Sequence, residues 1–405
     1  MRLNLLLATR NLLRNFRRTL LSLSIIALGT AMSFSVRGYV DDALFNIRNG
    51  VVQQYGNFQI ASPLLFDQEA QGYEYLLAPE KVEQIQMVLA AHPQVTDSTT
   101  EVNFSALASF GRQTKVIRAT ATRPGNTALD YNGLVVAGRP LEPDDLNAVL
   151  IGQSMADQRN LKPGDAFRIN LSTVDGAYNV GKLKVAGIFT LNNAQFEGQL
   201  VFVPIDYAQA ILNTTGVGKV IVSLDDLEDT DRVAQAVQAE LNRAGLGLEV
   251  KTWYQLSDFF RTISGFFNAI FLFLTLTISV LVFFIVLQVL TLSFLERTRE
   301  VGTVRALGTR AGQVFSMFLS EGALLGVLGS TAGLLLGGGI ALLFNALQIG
   351  WRPPGALDPV PVRLAVGLGN AWFPFLVSAL ATVVSAVFPS LRSSRRPIVD
   401  ALRTR

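Results

Sequence analysis

The sequence predicts an α-helical membrane protein with four transmembrane helices. A large α+β extracytoplasmic domain, made of two subdomains of which one is mainly β, is inserted between helices 1 and 2. Three observations predict this. Half of the 405 residues are hydrophobic and only 16% are charged, against about 25% charged in a typical soluble domain. Four apolar stretches reach the about 20 residues that a bilayer-spanning helix needs. Basic residues cluster beside those stretches, whereas residues 40–262 carry 17 basic and 26 acidic side chains.

The elements follow in chain order. Segment 1–18 holds Arg2, Arg10, Arg14, Arg17 and Arg18 and no acid. Arg10, Arg14 and Arg17 share one helical face with Leu5, Leu12 and Phe16 roughly opposite, so the segment reads as an interfacial helix on the cytoplasmic side. The first span covers 19–39. Its long basic leader, long apolar run and missing Ala-x-Ala site favour an uncleaved anchor over a signal peptide. The second span covers 263–294, the third lies within 311–347 with its first turns at the interface, and the fourth covers 371–391. Segment 295–310 holds Arg297, Arg299, Arg305 and Arg310 against Glu296 and Glu300, and the tail 392–405 holds five Arg against Asp400. The three flanking segments together carry 14 basic and 3 acidic residues. The positive-inside rule therefore places them in the cytoplasm and the acidic 40–262 outside. Dividing 311–347 into two spans would put the Arg-rich tail outside, so it counts as one, and both termini are cytoplasmic. The isoelectric point near 9.2 reflects membrane flanks drawn to anionic headgroups, not a nucleic-acid patch. Trp253, Trp351 and Trp372 fall at the outer membrane borders, where such rings act as anchors.

Within 40–262, a helix is predicted from Pro79 through His92, opened by Pro at an early position. Another runs from Asp229–Asp231 to about Arg243, stopped by Gly245 and Gly247. Strand-like runs flank both: Val51–Ile60, Val95–Ser109, Gly218–Leu224 and Leu246–Lys251. The middle reads mostly as strand, over Lys115–Thr122, Ala148–Ile151, Ala166–Leu171, Lys182–Phe189 and Gln199–Val203. One α+β subdomain is thus expected from 40–109 with 216–262, and a β-rich lobe from 110–215. His92 closes a helix and reads as a solvated surface residue.

Catalytic chemistry finds little purchase. With no cysteine, disulfides, thiolate metal sites and Cys nucleophiles are excluded. One histidine does not make a His-based metal cluster or a Ser-His-Asp arrangement. No catalytic residue and no metal site is expected. Gly176–Lys182 has the G-x4-G-K spacing of a phosphate-binding loop, but Leu183 stands where the magnesium-ligating hydroxyl is needed and a strand follows. It reads as a hairpin turn, as does Gly216-Val217-Gly218-Lys219.

The sharpest local pattern is Glu296-Arg297-Thr298-Arg299-Glu300-Val301-Gly302-Thr303-Val304-Arg305-Ala306-Leu307-Gly308, between the second and third spans. Glu296 with Arg299, or Glu300 with Arg297, can pair at i,i+3 on a short helix. Val301, Val304 and Leu307 recur on one face and could enter a partner's groove, and Gly308 fits a helix stop. A positive-inside loop that happens to be helical is the other reading. In the third span Gly322, Gly326, Gly329, Gly333 and Gly337 form a small-residue ridge that lets helices approach closely. Packing among the chain's own helices is favoured over dimerisation. Glu321 is the only acid inside an expected span, and structural pairing with a nearby Arg or backbone donor is favoured over a direct functional role.

This stretch resembles the cytoplasmic coupling helix of the MacB/FtsX/LolC-LolE superfamily of ABC-transporter permeases, whose pattern is roughly E-R-x-x-E-I-G-x-x-R-A-L-G. Glu296, Arg297, Glu300, Val301 (for Ile), Gly302, Arg305, Ala306, Leu307 and Gly308 match it. Asn11-Leu12-Leu13-Arg14 with Arg17-Arg18-Thr19-Leu20 is similar to the family's entry into helix 1, and Glu321-Gly322 to its helix 3. Phe388-Pro389-Ser390 with Arg392, Pro397, Val399 and Ala401-Leu402-Arg403 is similar to the C-terminal signature. Gly152, Gly164-Asp165, Gly187-Ile188-Phe189 and Val203-Pro204 resemble the family's periplasmic domain. The large two-lobed outer domain resembles LolC/LolE and MacB more than the small outer domain of FtsX, and Pro353-Pro354-Gly355 resembles the LolC/LolE-like branch.

The resemblance implies a non-catalytic, multi-pass subunit of a bacterial cytoplasmic (inner) membrane complex. It would bind no cofactor itself; ATP and Mg would sit on a separate cytoplasmic ABC ATPase. A second permease copy or paralogue would complete the dimer, and a periplasmic substrate or carrier protein would be a further partner. ATPase motion would be transmitted to the periplasmic domain, chiefly for lipoprotein release or export. FtsX-like signalling to a periplasmic partner and MacB-like efflux of a peptide or small molecule are the alternatives. An unbroken helix over Gln255–Phe294 would serve such transmission.

Overall fold

The computed structural model describes residue 14 and residues 16–67, 72–111, 113–124, 131–191, 194–352, 359–395 and 397. The expected interfacial helix before residue 14, the Pro353-Pro354-Gly355 loop and almost all of the tail beyond Arg395 lie outside the described residues. Helices longer than one turn are α1 (Phe16–Tyr55), α2 (Pro79–Ala90), α3 (Gln153–Arg159), α4 (Ile205–Leu212), α5 (Thr230–Arg243), α6 (Asp258–Glu296), α7 (Thr298–Ala306), α8 (Ala311–Ala346) and α9 (Leu368–Ser394). The strands of the large sheet are β1 (Phe58–Ala61), β2 (Val95–Phe110), β3 (Gln113–Thr122), β4 (Val135–Gly138), β5 (Ala148–Gly152), β6 (Ala166–Ser172), β7 (Tyr178–Phe189), β8 (Leu200–Pro204), β9 (Lys219–Leu224) and β10 (Glu249–Thr252). Two compact units form: Met1–Asn46 with Thr262–Trp351 and Pro361–Arg405, and Ile47–Arg261 with Arg352–Val360.

The helical unit holds α1, α6, α8 and α9, each long and apolar enough to cross a membrane. The third stretch is one uninterrupted 36-residue helix, as the charge parity requires. α1 is longer than its span. Val51–Tyr55 read as strand from their β-branched pair, yet they are helical, because extending an existing helix requires no new nucleus. Gly56, at φ +69°, ends it. α6 begins at Asp258, not Gln255. Ser257 (φ −99°, ψ 87°) separates it from the short turn Trp253–Leu256, and the Ser257 hydroxyl accepts the Phe260 amide at 3.1 Å. The 39 residues of α6 still extend about 58 Å at the helical rise.

The second unit is built on one connected sheet in the order β10-β1-β9-β2-β3-β8-β5-β7-β4, with β6 joining β2 to β7. Its α+β subdomain uses β10, β1, β9 and the first half of β2, all antiparallel. α2 and α5 contribute Ile85, Leu89, Val233, Val237 and Leu241 to its core. The β-rich lobe closes on itself: β2–β3, β3–β8, β8–β5, β5–β7, β7–β6 and β6–β2 are all paired. Closing the circuit removes the free strand edges that would template aggregation. The 16-residue β2 serves both parts, pairing with β9 over Val95–Glu101 and with β3 over Glu101–Phe110. One buried hydrophobic cluster accordingly runs through both. The Gly176 turn does connect a hairpin, β6 to β7. His92 is a correction: its ring is largely buried, with Nε2 3.5 Å from the Glu240 carboxylate.

Candidate coupling site

α6, α7 and α8 follow one another with almost no linker. Arg297 alone separates α6 from α7, and Leu307–Arg310 separate α7 from α8. Gly308, at φ +103°, makes the turn that α7 needs to stop. Nine residues are too few for a stable isolated helix, so contacts set the orientation of α7. Thr298, Val301 and Gly302 are its buried residues, and Val301 joins Phe294, Val314, Phe318 and Leu325 in the bundle core. Phe294 and Phe318 stack with ring centroids 4.0 Å apart.

This packing corrects one expectation. The stripe Val301-Val304-Leu307 is not one open face: Val301 is buried, whereas Val304 is 46% and Leu307 84% exposed. Arg297 is likewise buried in the helical unit. The open side of α7 carries Arg299, Glu300, Thr303, Val304 and Ala306, continuing into Leu307 and Gly308, with Arg305 half-buried.

The intrahelical pairs also give way to longer-range ones. Glu296 pairs with Arg18 and Glu300 with Arg14, both in exposed contacts. Arg297 Nη1 donates to the Glu321 carboxylate at 3.1 and 3.3 Å, with both side chains buried. Each of these three acids pairs with an arginine distant in sequence, so the attraction ties separate elements together. Glu321 thus sits in the structural pairing expected of an acid within an apolar helix.

The glycine ridge of α8 faces the chain's own helices. A Cβ on Gly322 would meet Ala386, and one on Gly326 would meet Ala379 and Thr382, all on α9. Gly329, Gly333 and Gly337 instead abut Ile26, Ala27 and Ala31 of α1. The ridge therefore packs one helix between two, at distances only glycine permits. Sequence reasoning missed the complement on α9, whose buried positions include Asn370, Ser378, Thr382, Ser385, Ser390 and Ser393. Its signal was present as small polar residues at spacings of three and four in an apolar span.

Among the described residues, no group of three or more His, Cys, Asp or Glu side chains could hold a metal ion. What the geometry offers is a short helix, anchored on one side and open on the other, joined directly to two long apolar helices.

Comparison with known proteins places this within a family. A model of the MacB-like periplasmic core domain matches residues 19–240, and one of the FtsX-like permease C-terminal region matches residues 269–398. The chain belongs to the MacB/FtsX superfamily of ABC-transporter permeases. It is 26% identical over 275 residues to an uncharacterized ABC transporter permease of Methanocaldococcus jannaschii, covering 66% of this chain and 64% of that protein. It is 26% identical over 224 residues to the macrolide export ATP-binding/permease protein MacB of Chromobacterium violaceum, covering 54% of this chain and 33% of that one. The chain thus spans between a third and two thirds of the length of these relatives. The crystal structure of the periplasmic region of MacB from Actinobacillus actinomycetemcomitans aligns over 50% of this chain and 92% of that one, at 13% identity and a TM-score of 0.37.

Proposed function

We propose that this permease transmits the motion of a separate cytoplasmic ATPase, which holds the ATP and Mg, to its large α+β domain across the inner membrane. The work done there is release of lipoproteins, or export, from the outer leaflet or the periplasm. A second permease copy or paralogue completes the complex. The observation that carries this reading is α7: Leu307 and Val304 project from a helix whose opposite side is fixed in the bundle, so a load applied to the open side cannot be dissipated by free rotation. The basic flanks support cytoplasmic termini and a cytoplasmic α7. The match to MacB of Chromobacterium violaceum favours a second reading, efflux of a peptide or small molecule, through the same coupling.

The test is Leu307→Asp in a tagged chain purified from its native membrane. A charge in an apolar docking contact should cost several kcal/mol. The expected result is normal membrane level with loss of the ATPase that co-purifies with the wild type. Thr114→Asp, on exposed β3, should leave that ATPase bound. Wild-type ATPase recovery with Leu307→Asp would overturn the reading.

A further inference from the structure

We infer that the buried Arg297–Glu321 pair is a positioning device that fixes the α6–α7 bend to α8, so that displacement of the coupling helix enters two spanning helices at once. The inference deepens the function proposed above and rests on α7 being the coupling helix.

Arg297 occupies the one position between α6 and α7 and has neither helical nor extended backbone geometry (φ −89°, ψ 6°). A bend there lets α7 swing about the end of α6 unless something else restrains it. Val301 and the Phe294–Phe318 stack provide apolar contact, but burial of apolar surface is non-directional and tolerates sliding. A guanidinium facing a carboxylate is directional, and at 3.1 and 3.3 Å both carboxylate oxygens are engaged. Glu321 lies in α8 one residue before Gly322, where the glycine ridge starts. The pair therefore links the bend to the segment of α8 that packs against α9 at Ala386.

A buried ion pair is a poor means of gaining stability, because desolvation offsets its attraction and an apolar pair of similar volume does as well. Its distinctive contribution is orientation. The neighbouring pairs behave differently: Arg14–Glu300 and Arg18–Glu296 are exposed, and solvent screening leaves such contacts weak. The geometry is thus one buried link to α8 and two exposed contacts, Arg18 with Glu296 of α6 and Arg14 with Glu300 of α7, that can part when α7 moves.

The absence of native cysteine allows the test to be made in the full chain. Nitroxide labels at cysteines replacing Thr303 on α7 and Val327 on α8 report their separation by pulsed electron resonance in lipid nanodiscs. The variant is Arg297→Met with Glu321→Met, which replaces the ions by apolar side chains and leaves no buried charge. The expected result is an unchanged melting temperature with a distance distribution at least about twice as broad as in the wild type. An unchanged distribution would overturn the inference. So would a lowered melting temperature, since the pair would then serve stability. Neither ATP nor an ATPase is required, so failure here is distinct from failure of the Leu307→Asp test.

Discussion

Thr30 Oγ1 lies 2.7 Å from Ser378 Oγ, joining α1 to α9 at a site closed to solvent. The same Thr30 oxygen lies 2.8 Å from the Ile26 carbonyl. One hydroxyl proton cannot serve both acceptors, and the Ser378 hydroxyl, itself a donor, can supply the second bond. This contact binds the same two helices between which the α8 ridge is held. Replacing Thr30 with Val keeps the shape and removes the hydroxyl. Interhelical hydrogen bonds in membranes average about 0.6 kcal/mol, so the melting temperature of the full chain in detergent should fall slightly. Ser378→Ala in the Thr30→Val background should add less than it does alone; additive losses would mean the hydroxyls do not interact.

Gly333 and Gly338 lie five residues apart on α8 and should respond oppositely to the same change. A Cβ on Gly333 would come within 2.6 Å of the Ala27 carbonyl oxygen and of Thr30 Cβ, whereas one on Gly338 meets nothing within 4 Å. Gly333→Ala should destabilise by about 1–3 kcal/mol, the usual range for overpacking. Gly338→Ala should be neutral or slightly stabilising, because alanine favours the helix. Equal melting temperatures for the two variants would refute the close α1–α8 packing.

Much of this architecture was legible because apolar spans and their basic flanks leave strong signals. The four spans follow from apolar runs, and the span count from where Arg14, Arg299 and Arg392 fall. Partner choice was not legible. Arg297 has Glu300 at i,i+3, yet the bundle pairs it with Glu321, 24 positions away. The same applies to Val301, whose stripe neighbours Val304 and Leu307 look identical in periodicity but face outward. The small β4 strand and helices α3 and α4 escaped notice because each is short and abuts the element before it with no intervening loop. Closure of the β-rich lobe depends on long-range pairings, such as Leu107 with Asn170, which no local pattern encodes.

Orientation is open to direct labelling. Met87 on α2 is 71% exposed, and Thr303 on α7 is exposed. A cysteine at Met87 should react with a membrane-impermeant maleimide in intact spheroplasts, and one at Thr303 only after permeabilisation. The reverse pattern would place the acidic domain in the cytoplasm and contradict the positive-inside assignment.

Acid should loosen the loop before β5. Arg139 donates to Asp145 at 2.6 and 2.8 Å, and Asp145 also accepts the Glu142 amide at 2.9 Å. The Arg139 hydrogen bonds hold the Asp145 carboxyl below its usual value. With the folded value depressed, the contribution is complete above the unfolded value of about 3.9 and fades as pH falls through the folded one. Relative to its intrinsic rate at each pH, hydrogen exchange at the Glu142 amide should therefore stay slow at about pH 5 and accelerate only below about pH 4. Arg139→Gln should move that acceleration toward higher pH, and an unshifted profile would show that Arg139 does not hold the carboxylate.

Where β2 passes from one subdomain to the other, Glu101 faces Lys219 of β9 on one side and Thr122 of β3 on the other. The Glu101 carboxylate is buried, 2.8 Å from Lys219 Nζ, and accepts the Asn103 amide at 2.7 Å. Tyr131 approaches it at 3.5 Å, and burial first, then the Glu101 charge, raises the phenol well above its usual value. The phenol thus remains a neutral donor, leaving Lys219 as the cation at this carboxylate's side. Lys219→Met should strand a buried charge at a cost of about 3–5 kcal/mol. Adding Glu101→Gln removes that charge and should restore most of the loss. Because a chain of two units need not unfold in one step, the readout is native-state hydrogen exchange of the β2 and β9 amides. Protection should collapse in Lys219→Met and largely return in Lys219→Met with Glu101→Gln. If both variants exchange alike, the loss comes from Lys219's packing, and the ion pair does not hold the junction of the two subdomains.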